Sequence, residues 1–164
     1  MTDLSARFAL PLLVPGQAQK EMFHNEALTL VDAALHAAVE GRLATPPLSP
    51  SIGQCWIIDA APSGAWAGHS GHLAIWTAGG WRFVAPPESM TVWDKAAGFS
   101  RRWTGTAWSD GAVTAAQIVI GGHQVVGTRQ PAPPSPSGGT TIDAEARAAV
   151  AAITVALRTH GLID

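Results

Sequence analysis

A β-hairpin pattern occupies residues 72–84, which read HLAIWTAGGWRFV. Side chains of different character alternate along residues 72–76 and again along residues 81–84, as in strands whose successive side chains face opposite sides. The four residues 77–80 between them include two glycines, which can take the positive φ that a tight loop requires. The stretch therefore predicts an antiparallel hairpin with one tryptophan on each side of its loop.

The hairpin pattern recurs further along the chain. Residues 76–81 read WTAGGW and residues 103–108 read WTGTAW, so both copies place two tryptophans around a turn that contains glycine. Cross-strand aromatic pairs stabilise a hairpin by up to about 1 kcal/mol. Further short strands, separated by glycine or proline, are expected at residues 53–59, 90–93, 99–103, 117–120 and 124–128. The pattern predicts a small antiparallel β meander or sandwich.

The N-terminal segment reads as an arm followed by a helix. Pro11 and Pro15 prevent a continuous helix over residues 1–15, which predicts an extended apolar arm that docks on another surface. A helix is expected within residues 16–40, with Asn25 as its cap and Gly41 as its stop. The docking residues are apolar positions of the arm and of one helix stripe: Phe8, Leu10, Leu12, Leu13, Leu28, Val31 and Leu35.

The C-terminal segment carries the clearest helix pattern. Asp143 is expected to cap a helix in residues 141–164 and Gly161 to end it. Four apolar residues follow one another at steps of four, three and four, which is coiled-coil spacing. Such a short helix is only marginally stable alone, so it packs on the β domain, on a partner or on the same helix of sister subunits, and the spacing favours the last. The seam residues are Ala146, Val150, Ile153 and Leu157.

Together these patterns predict an α+β chain of five segments. They are an N-terminal arm and helix (1–43), a linker (44–51), a Trp-rich β domain (52–129), a Pro-rich linker (130–140) and a C-terminal oligomerisation helix (141–164). A length of 164 residues suits one domain with appendages.

Composition limits the classes of partner. Charged residues make up 13% of the chain, with 10 Lys and Arg against 12 Asp and Glu. Without a basic excess, a broad nucleic-acid footprint and a polybasic membrane contact are both excluded. The single cysteine, Cys55, excludes an internal disulfide, and its apolar neighbours predict a buried thiol. No long apolar run or signal-peptide pattern is present, so we expect a chain without a membrane span that is made in the cytoplasm.

Tryptophan is the most unusual feature of the composition, with seven Trp and no Tyr. Indole combines a large apolar ring with a polar N–H, so it suits interfaces and stacking platforms. Exposed indoles on a rigid sheet can hold sugar rings, and Arg82, Asp94, Arg101 and Arg102 are nearby hydrogen-bonding groups. The alternative is that the tryptophans form a core and a subunit interface. The glycan-binding candidates are Trp66, Trp76, Trp81, Trp93, Trp103 and Trp108.

Catalytic patterns are weak in this sequence. His69 and His72 are two imidazoles three residues apart, whereas a metal site needs three or more convergent ligands, so a polar turn is expected. None of the common nucleophile, phosphate-loop, dinucleotide or zinc-protease motifs occurs. The sequence predicts no enzyme, no catalytic residue, no cofactor and no metal. Turn or capping roles are expected for the acids of the β region: Asp59, Glu88, Asp94 and Asp110.

Several motifs resemble a prophage-encoded protein family of uncharacterised function. The first are LPLLVPGQAQKE at residues 10–21 and HNEAL at residues 24–28. The middle of the chain adds SGAWAG at residues 63–68, the pattern Gly-x-Trp-Arg-Phe-Val-x-Pro at residues 79–86 and GTAW at residues 105–108. These motifs stand in the order expected for that family.

The C-terminal motifs extend the resemblance to phage fibre and spike proteins. Residues 125–132 read VVGTRQPA, residues 142–147 read IDAEAR and residues 157–163 read LRTHGLI, and all three are similar to the C-terminal segment of such proteins. Related proteins occur in tailed phages and in gene transfer agents, where they are implicated in head spikes or tail fibres that adhere to host surface polysaccharide.

The resemblance implies a virion structural protein, either a spike base or a short fibre. Its implied partners are copies of itself in a trimer or pentamer, other particle proteins of the capsid or fibre, and host capsular polysaccharide. The arm and helix would dock on the particle, and the chain would be incorporated into it. A stand-alone carbohydrate-binding module is the alternative interpretation, and a polysaccharide depolymerase is the third.

Overall fold

A computed structural model describes residues 3–14, 16, 20–141 and 143–163. Contacts group the chain into two units, which divide after Ala112. Some residues of the predicted terminal segments and quoted motifs lie outside the described residues: Met1, Thr2, Pro15, residues 17–19, Ile142 and Asp164.

The chain is an α+β protein with one helix near each end and short strands between them, as the sequence predicts. The first unit contains α1 (Lys20–Ala34), β1 (Ala38–Val39), β2 (Arg42–Leu43), β3 (Cys55–Ile58), β4 (Leu73–Thr77), β5 (Gly80–Val84), β6 (Thr91–Asp94) and β7 (Phe99–Arg102), with a 3-10 turn at Gly64–Trp66. The second unit contains β8 (Ile118–Ile120), β9 (His123–Val126) and α2 (Ala144–Thr159).

The strands form three sheets. One has the order β2-β3-β4-β5 and another the order β1-β6-β7, while β8 pairs with β9. All pairings are antiparallel except β1 with β6 and β2 with β3, which are parallel. Strands β8 and β9 form a sheet of their own and belong to the same unit as α2. The sequence analysis instead placed them in the Trp-rich β domain.

The strand predictions agree closely with the structure. All seven strands expected between residues 53 and 128 are present, each within two residues of its predicted bounds. The predicted four-residue loop is wrong, because Thr77 pairs with Gly80 and leaves a two-residue turn. The Thr77 hydroxyl closes that turn by donating to the Gly80 carbonyl at 2.7 Å, and Gly80 takes a φ of 96°.

Strand β3 separates two apolar layers. Cys55 and Ile57 join the layer between the two larger sheets, together with Val39 and Val92. Trp56 and the next residue of the strand, Ile58, join a second layer on the outer face. All four residues of β3 are buried. Cys55 is 1% exposed, as expected, and burial raises the pKa of its thiol to about 11.

Helix α1 differs from the sequence prediction. It begins at Lys20, so Asn25 lies inside it and is not its cap. The Asn25 side chain instead accepts from the backbone N–H of Leu13 and donates to the Leu13 carbonyl, both at 2.9 Å. The buried residues of α1 are Asp32 and Ala33. These two residues lie off the predicted apolar stripe.

The helix also ends earlier than predicted. It ends at Ala34, and His36 adopts a left-handed φ of 46°. Residues 38–43 then form the short strands β1 and β2, one in each of the larger sheets. Gly41 is therefore the crossing point between two sheets rather than a helix stop. A Cβ at this glycine would lie 3.2 Å from the Cβ of Ala96, which is a tight contact.

The N-terminal arm is a folded turn and not an extended segment. Leu4 and Pro11 form an antiparallel bridge. The carboxylate of Asp32 then holds the turn on α1, because it accepts from the Ser5 hydroxyl at 2.7 Å and from the backbone N–H groups of Arg7 and Phe8 at 2.9 and 2.7 Å. Docking of the arm on a particle remains a prediction, since this contact lies within the chain.

The second unit confirms the predicted helix signals. The Asp143 carboxylate accepts from the N–H of Ala146 at 2.8 Å and caps α2. Gly161 ends the helix with a φ of 70°, and the N–H of Leu162 bonds back to the carbonyl of Leu157 at 3.0 Å. The Arg129 guanidinium donates to the Ile163 carbonyl, and Ile163 also forms a parallel bridge with Gln130.

A chain of ion pairs joins the two larger sheets. Asp94 on β6 lies 2.6 Å from Arg101 on β7, and both side chains are buried. Arg101 also pairs with Asp110. Asp110 lies 3.3 Å from Arg42 on β2, and Arg42 lies 2.7 Å from Asp59 after β3.

These contacts lower the pKa values of two of the carboxyl groups. Burial alone would raise the pKa of Asp94, but hydrogen bonds from Arg101 and the Ala97 N–H outweigh it and lower that pKa. The Ala60 N–H and the Arg42 side chain lower the pKa of Asp59. Groups with a lowered folded-state pKa stabilise the protein above the unfolded value of about 3.9 and lose that effect as pH falls.

We expect Asp94→Asn to destabilise the first unit by about 3–5 kcal/mol near neutral pH, because it weakens a buried ion pair. All seven tryptophans lie in the first unit, so urea unfolding followed by Trp fluorescence reports that unit. Between pH 6 and pH 3 the wild-type midpoint should fall more than that of the variant. Glu40→Gln is the control, since it removes only the exposed pair with Lys95. Equal midpoints for both variants would contradict this role of Asp94.

Candidate functional site

The candidate tryptophans differ in how much of each ring reaches solvent. Trp66 is fully buried and Trp108 is 7% exposed, so neither presents a ring face to a ligand. Trp93 is 48% exposed and lies on β6. The half-buried members are Trp76, Trp81 and Trp103.

Four indoles meet on the outer face of the four-stranded sheet. The ring centroid of Trp81 lies 4.9 Å from that of Trp76, 5.1 Å from that of Trp66 and 5.7 Å from that of Trp56. Their interplanar angles of 61–81° are edge-to-face arrangements, which the charge distribution of aromatic rings favours. Much of the tryptophan enrichment is therefore packing within the first unit.

The second Trp-turn-Trp copy packs in the same manner. Trp103 and Trp108 form an antiparallel bridge with ring centroids 5.5 Å apart. The Trp108 indole N–H donates to the Gly71 carbonyl at 2.8 Å. Gly71 has a φ of 78°, and a Cβ there would lie 2.9 Å from the Trp103 ring, so only glycine fits. The repeat thus forms two aromatic hairpins, as predicted.

A cavity of the first unit is lined by apolar and charged side chains. It measures about 490 Å³ and lies between the N-terminal arm, α1 and the β4–β5 turn. We call it the arm–hairpin groove. Its apolar lining includes Leu4, Leu12, Met22, Ile52, Ile75 and Trp76.

Glu26 and Arg82 form one side of the arm–hairpin groove. Glu26 Oε1 accepts from Arg82 Nε at 2.7 Å, and this pair ties α1 to β5. Arg82 Nη1 also donates to the carbonyls of Gly79 and Trp81, at 3.3 and 3.1 Å. These contacts hold the guanidinium in one orientation beside the cavity.

The opposite side of the groove depends on a close backbone approach. Gly53 has a φ of 88°, and a Cβ there would lie 3.0 Å from the Cβ of Ala6 in the arm. The Gly53 N–H donates to the Trp76 carbonyl at 2.9 Å, which places the arm beside β4. Arg7 crosses to α1, where its guanidinium donates to the carbonyls of Asp32 and Ala33. The groove is therefore made of four separate stretches of chain.

The groove carries charged side chains of both signs. Both of its acids already accept hydrogen bonds from the protein, Asp32 from three donors and Glu26 from Arg82. The chemistry of the groove is that of a mostly apolar pocket with a few fixed polar groups.

Three of the four hydrogen-bonding residues suggested by the sequence fall into two sets. Arg82 lines the groove, but Asp94 and Arg101 are occupied in their buried ion pair. Sequence reasoning missed Glu26 as a site residue. The available signal was its position in the HNEAL motif, directly after the Asn25 that fixes the arm.

The His69 and His72 pair lies outside the groove. Their ring centroids are 5.4 Å apart, and His69 stacks on Phe83 with centroids 3.8 Å apart. Within the described ranges, no group of three or more His, Cys, Asp or Glu side chains converges as metal ligands do. Nor is any helix of the described chain long and apolar enough to cross a membrane.

The second unit exposes apolar side chains on its helix and on its two strands. Helix α2 has no buried residue among those described, and in its predicted seam Val150 is 43% and Ile153 is 59% exposed. Ala146 is also exposed and Leu157 is half-buried. Every residue of β8 and β9 is exposed. Of the predicted docking residues, Phe8, Val31 and Leu35 are exposed, and the others are half-buried.

We expect Trp66→Ala to lower the free energy of unfolding of the first unit by about 3–5 kcal/mol, because it leaves a large cavity in the outer layer. Trp93→Ala is the matched control and should cost about 0.5 kcal/mol, since Trp93 is half exposed. Urea unfolding followed by fluorescence of the remaining tryptophans measures both. A cost for Trp93→Ala as large as that for Trp66→Ala would contradict the assignment of the aromatic core.

Comparison with protein families identifies one match. Residues 24–109 match DUF2793, described as a protein family of unknown function. The match covers more than half of the chain and includes all strands from β1 to β7. The comparison with curated proteins gives no match. The chain belongs to the DUF2793 family.

Proposed function

We propose that the protein is an oligomeric structural component of a phage-like particle, such as a gene transfer agent, where it serves as a spike base or short fibre. Its role is attachment to host surface polysaccharide. The observation that supports this proposal most is the exposed apolar seam of α2, where Val150 and Ile153 face solvent in the single chain.

The second unit has little core of its own. Ile163 is its only buried hydrophobic residue among those described, at 9% exposed. A helix of 16 residues and a hairpin of two short strands are each marginal in water. Apolar faces of this kind gain stability when another surface covers them.

Copies of the same helix are the partner that fits the seam. Its spacing of four, three and four residues is that of a coiled coil, and the flanking alanines let helices approach closely. Only Glu145, Arg147 and Arg158 are charged within α2, so neighbouring copies would repel little. A closed ring gives each copy the same contacts, and a trimer or a pentamer satisfies this condition.

The assignment to a particle is supported by the motifs at both ends of the chain. The N-terminal motifs resemble a prophage-encoded family of uncharacterised function, and the C-terminal motifs resemble phage spike and fibre proteins. The chain would be made in the cytoplasm and then incorporated into the particle. Exposed Phe8, Val31 and Leu35 offer a surface for capsid or fibre proteins. The Trp-rich unit would project and contact polysaccharide.

We expect Ile153→Asp to dissociate the oligomer, because a carboxylate in the seam would be buried without a partner. Val155→Asp is the matched control: both residues are β-branched and 59% exposed, but Val155 lies outside the seam. Light scattering gives the native mass of each variant and of a chain lacking residues 141–164. Loss of the trimer or pentamer in Ile153→Asp and in the truncated chain, but not in Val155→Asp, is the expected result. A native mass unchanged by Ile153→Asp would contradict the seam.

A stand-alone carbohydrate-binding module is the second candidate. The arm–hairpin groove favours it, because the whole groove lies within the first unit and needs no second copy. This candidate expects a monomer in the wild type that still binds polysaccharide.

A further inference from the structure

We propose that a second cavity of the first unit binds one neutral sugar ring of a surface polysaccharide, with Trp103 as the stacking surface and Arg42 and Asp59 as the partners of its hydroxyl groups. This inference rests on the attachment role proposed above and gives that role a site. The cavity lies beside the second aromatic hairpin, and we call it the Trp103 cavity.

The Trp103 cavity has the size and the mixed character that suit a single ring. It measures about 210 Å³, which is smaller than the sites of drug-sized ligands, about 300–1,000 Å³. A sugar ring combines apolar patches of C–H groups with hydroxyls that project from its rim, so it needs an aromatic wall beside polar groups. The polar side chains of the lining are those of Arg42, Asp59, Ser70 and Thr106.

The aromatic and polar residues of the cavity lie on the same side of the four-stranded sheet. Arg42 stands opposite Ile57 in the β2–β3 pair, so their side chains lie on the same face. Ile57 belongs to the layer between the two larger sheets, and Trp103 packs against that same layer. The Asp59 carboxylate lies 2.7 Å from the Arg42 guanidinium. Trp103 and the Arg42–Asp59 pair therefore border one cavity.

Trp103 provides an indole that is held in place and still reaches solvent. Its ring centroid lies 5.5 Å from that of Trp108, whose N–H donates to the Gly71 carbonyl. The tip of the Trp103 ring lies against Gly71, where a Cβ would come within 2.9 Å of it. Trp103 is only half-buried, and Thr106 and Ala107 in the turn beside it are exposed. The indole is fixed before a ligand arrives, so binding costs little side-chain entropy.

Arg42 and Asp59 provide a donor next to an acceptor. Arg42 donates from Nη2 to Asp59 and from Nη1 to Asp110, while its Nε is buried without a hydrogen-bond partner in the described part of the chain. Asp59 accepts through Oδ1 from Arg42 and from the Ala60 N–H, and among the described residues its Oδ2 accepts no bond. A buried N–H without a partner costs free energy, which an oxygen of a ligand would recover. Sugar hydroxyls can accept from Nε and donate to Oδ2.

The charges around the cavity favour a neutral sugar over an acidic one. Within the described residues, Arg42 is the single basic residue of the lining, and it already pairs with Asp59 and Asp110. A sugar carboxylate would meet Asp59 without an unpaired cation, and like charges placed side by side disfavour binding.

The test titrates the full chain with neutral gluco-, galacto- and manno-oligosaccharides and with a hexuronate oligomer of equal length, using calorimetry. We expect saturable binding of at least one neutral probe and weaker binding of the hexuronate. Trp103→Ala should weaken the binding at least about tenfold, whereas Trp93→Ala should not, since Trp93 is exposed on another sheet.

A matched pair of variants tests the polar side of the cavity. Asp59→Asn should weaken binding, because the amide replaces one acceptor oxygen by a donor. Asp110→Asn is the control: Asp110 also pairs with Arg42 but is not part of the lining. The indole N–H signals of the wild type, followed by NMR during the titration, should show a shift for Trp103 and none for Trp93.

Four results would overturn the inference: no saturable binding of any neutral probe, equal losses in Trp103→Ala and Trp93→Ala, equal binding by Asp59→Asn and Asp110→Asn, or binding that leaves the Trp103 signal unchanged. Should Trp103→Ala lose its fold by circular dichroism, the two aspartate variants and the wild-type signals decide. Native mass is measured on the same samples. An oligomer that does not bind contradicts the cavity and keeps the assembly, whereas a monomer that binds contradicts the assembly and keeps the cavity.

Discussion

Burial of strand β3 on both faces is the constraint on which the first unit depends. Cys55 and Ile57 face the layer between the two larger sheets, while Trp56 and Ile58 face the aromatic layer outside. A strand buried on both sides cannot shift by one residue without exchanging the contents of the two layers. Because β4 pairs with β3 and β5 pairs with β4, the register of β3 sets the registers of both strands. Those registers in turn set the positions of the aromatic residues and of the groove.

The second unit has no equivalent of β3. Its strands pair only with each other among the described residues, and all of their side chains are exposed. The first unit therefore contains its own core, whereas the second requires additional surface to reach comparable burial. In the proposed particle component, the first unit would bind and the second would be completed by assembly. This difference connects the fold to the proposed particle component.

Local signals predicted the parts of the fold that local contacts determine. The Trp-turn-Trp repeat and the ends of α2 at Asp143 and Gly161 were read from the sequence because each depends on residues a few positions apart. Asn25 hydrogen-bonds to Leu13, 12 positions away, and Glu26 pairs with Arg82, 56 positions away. The spacing of apolar residues along the sequence does not predict contacts of this kind. Asn25 consequently looked like a helix cap, and the groove was missed.

The central claim is that the first unit is stable alone and the second only in the assembly. Hydrogen exchange of the full chain, measured above and below the concentration at which the oligomer dissociates, tests it most directly. Amides of β3 should be protected equally at both concentrations, while amides of α2, β8 and β9 should lose protection on dilution. Strong protection of α2 that does not change with concentration would contradict the account.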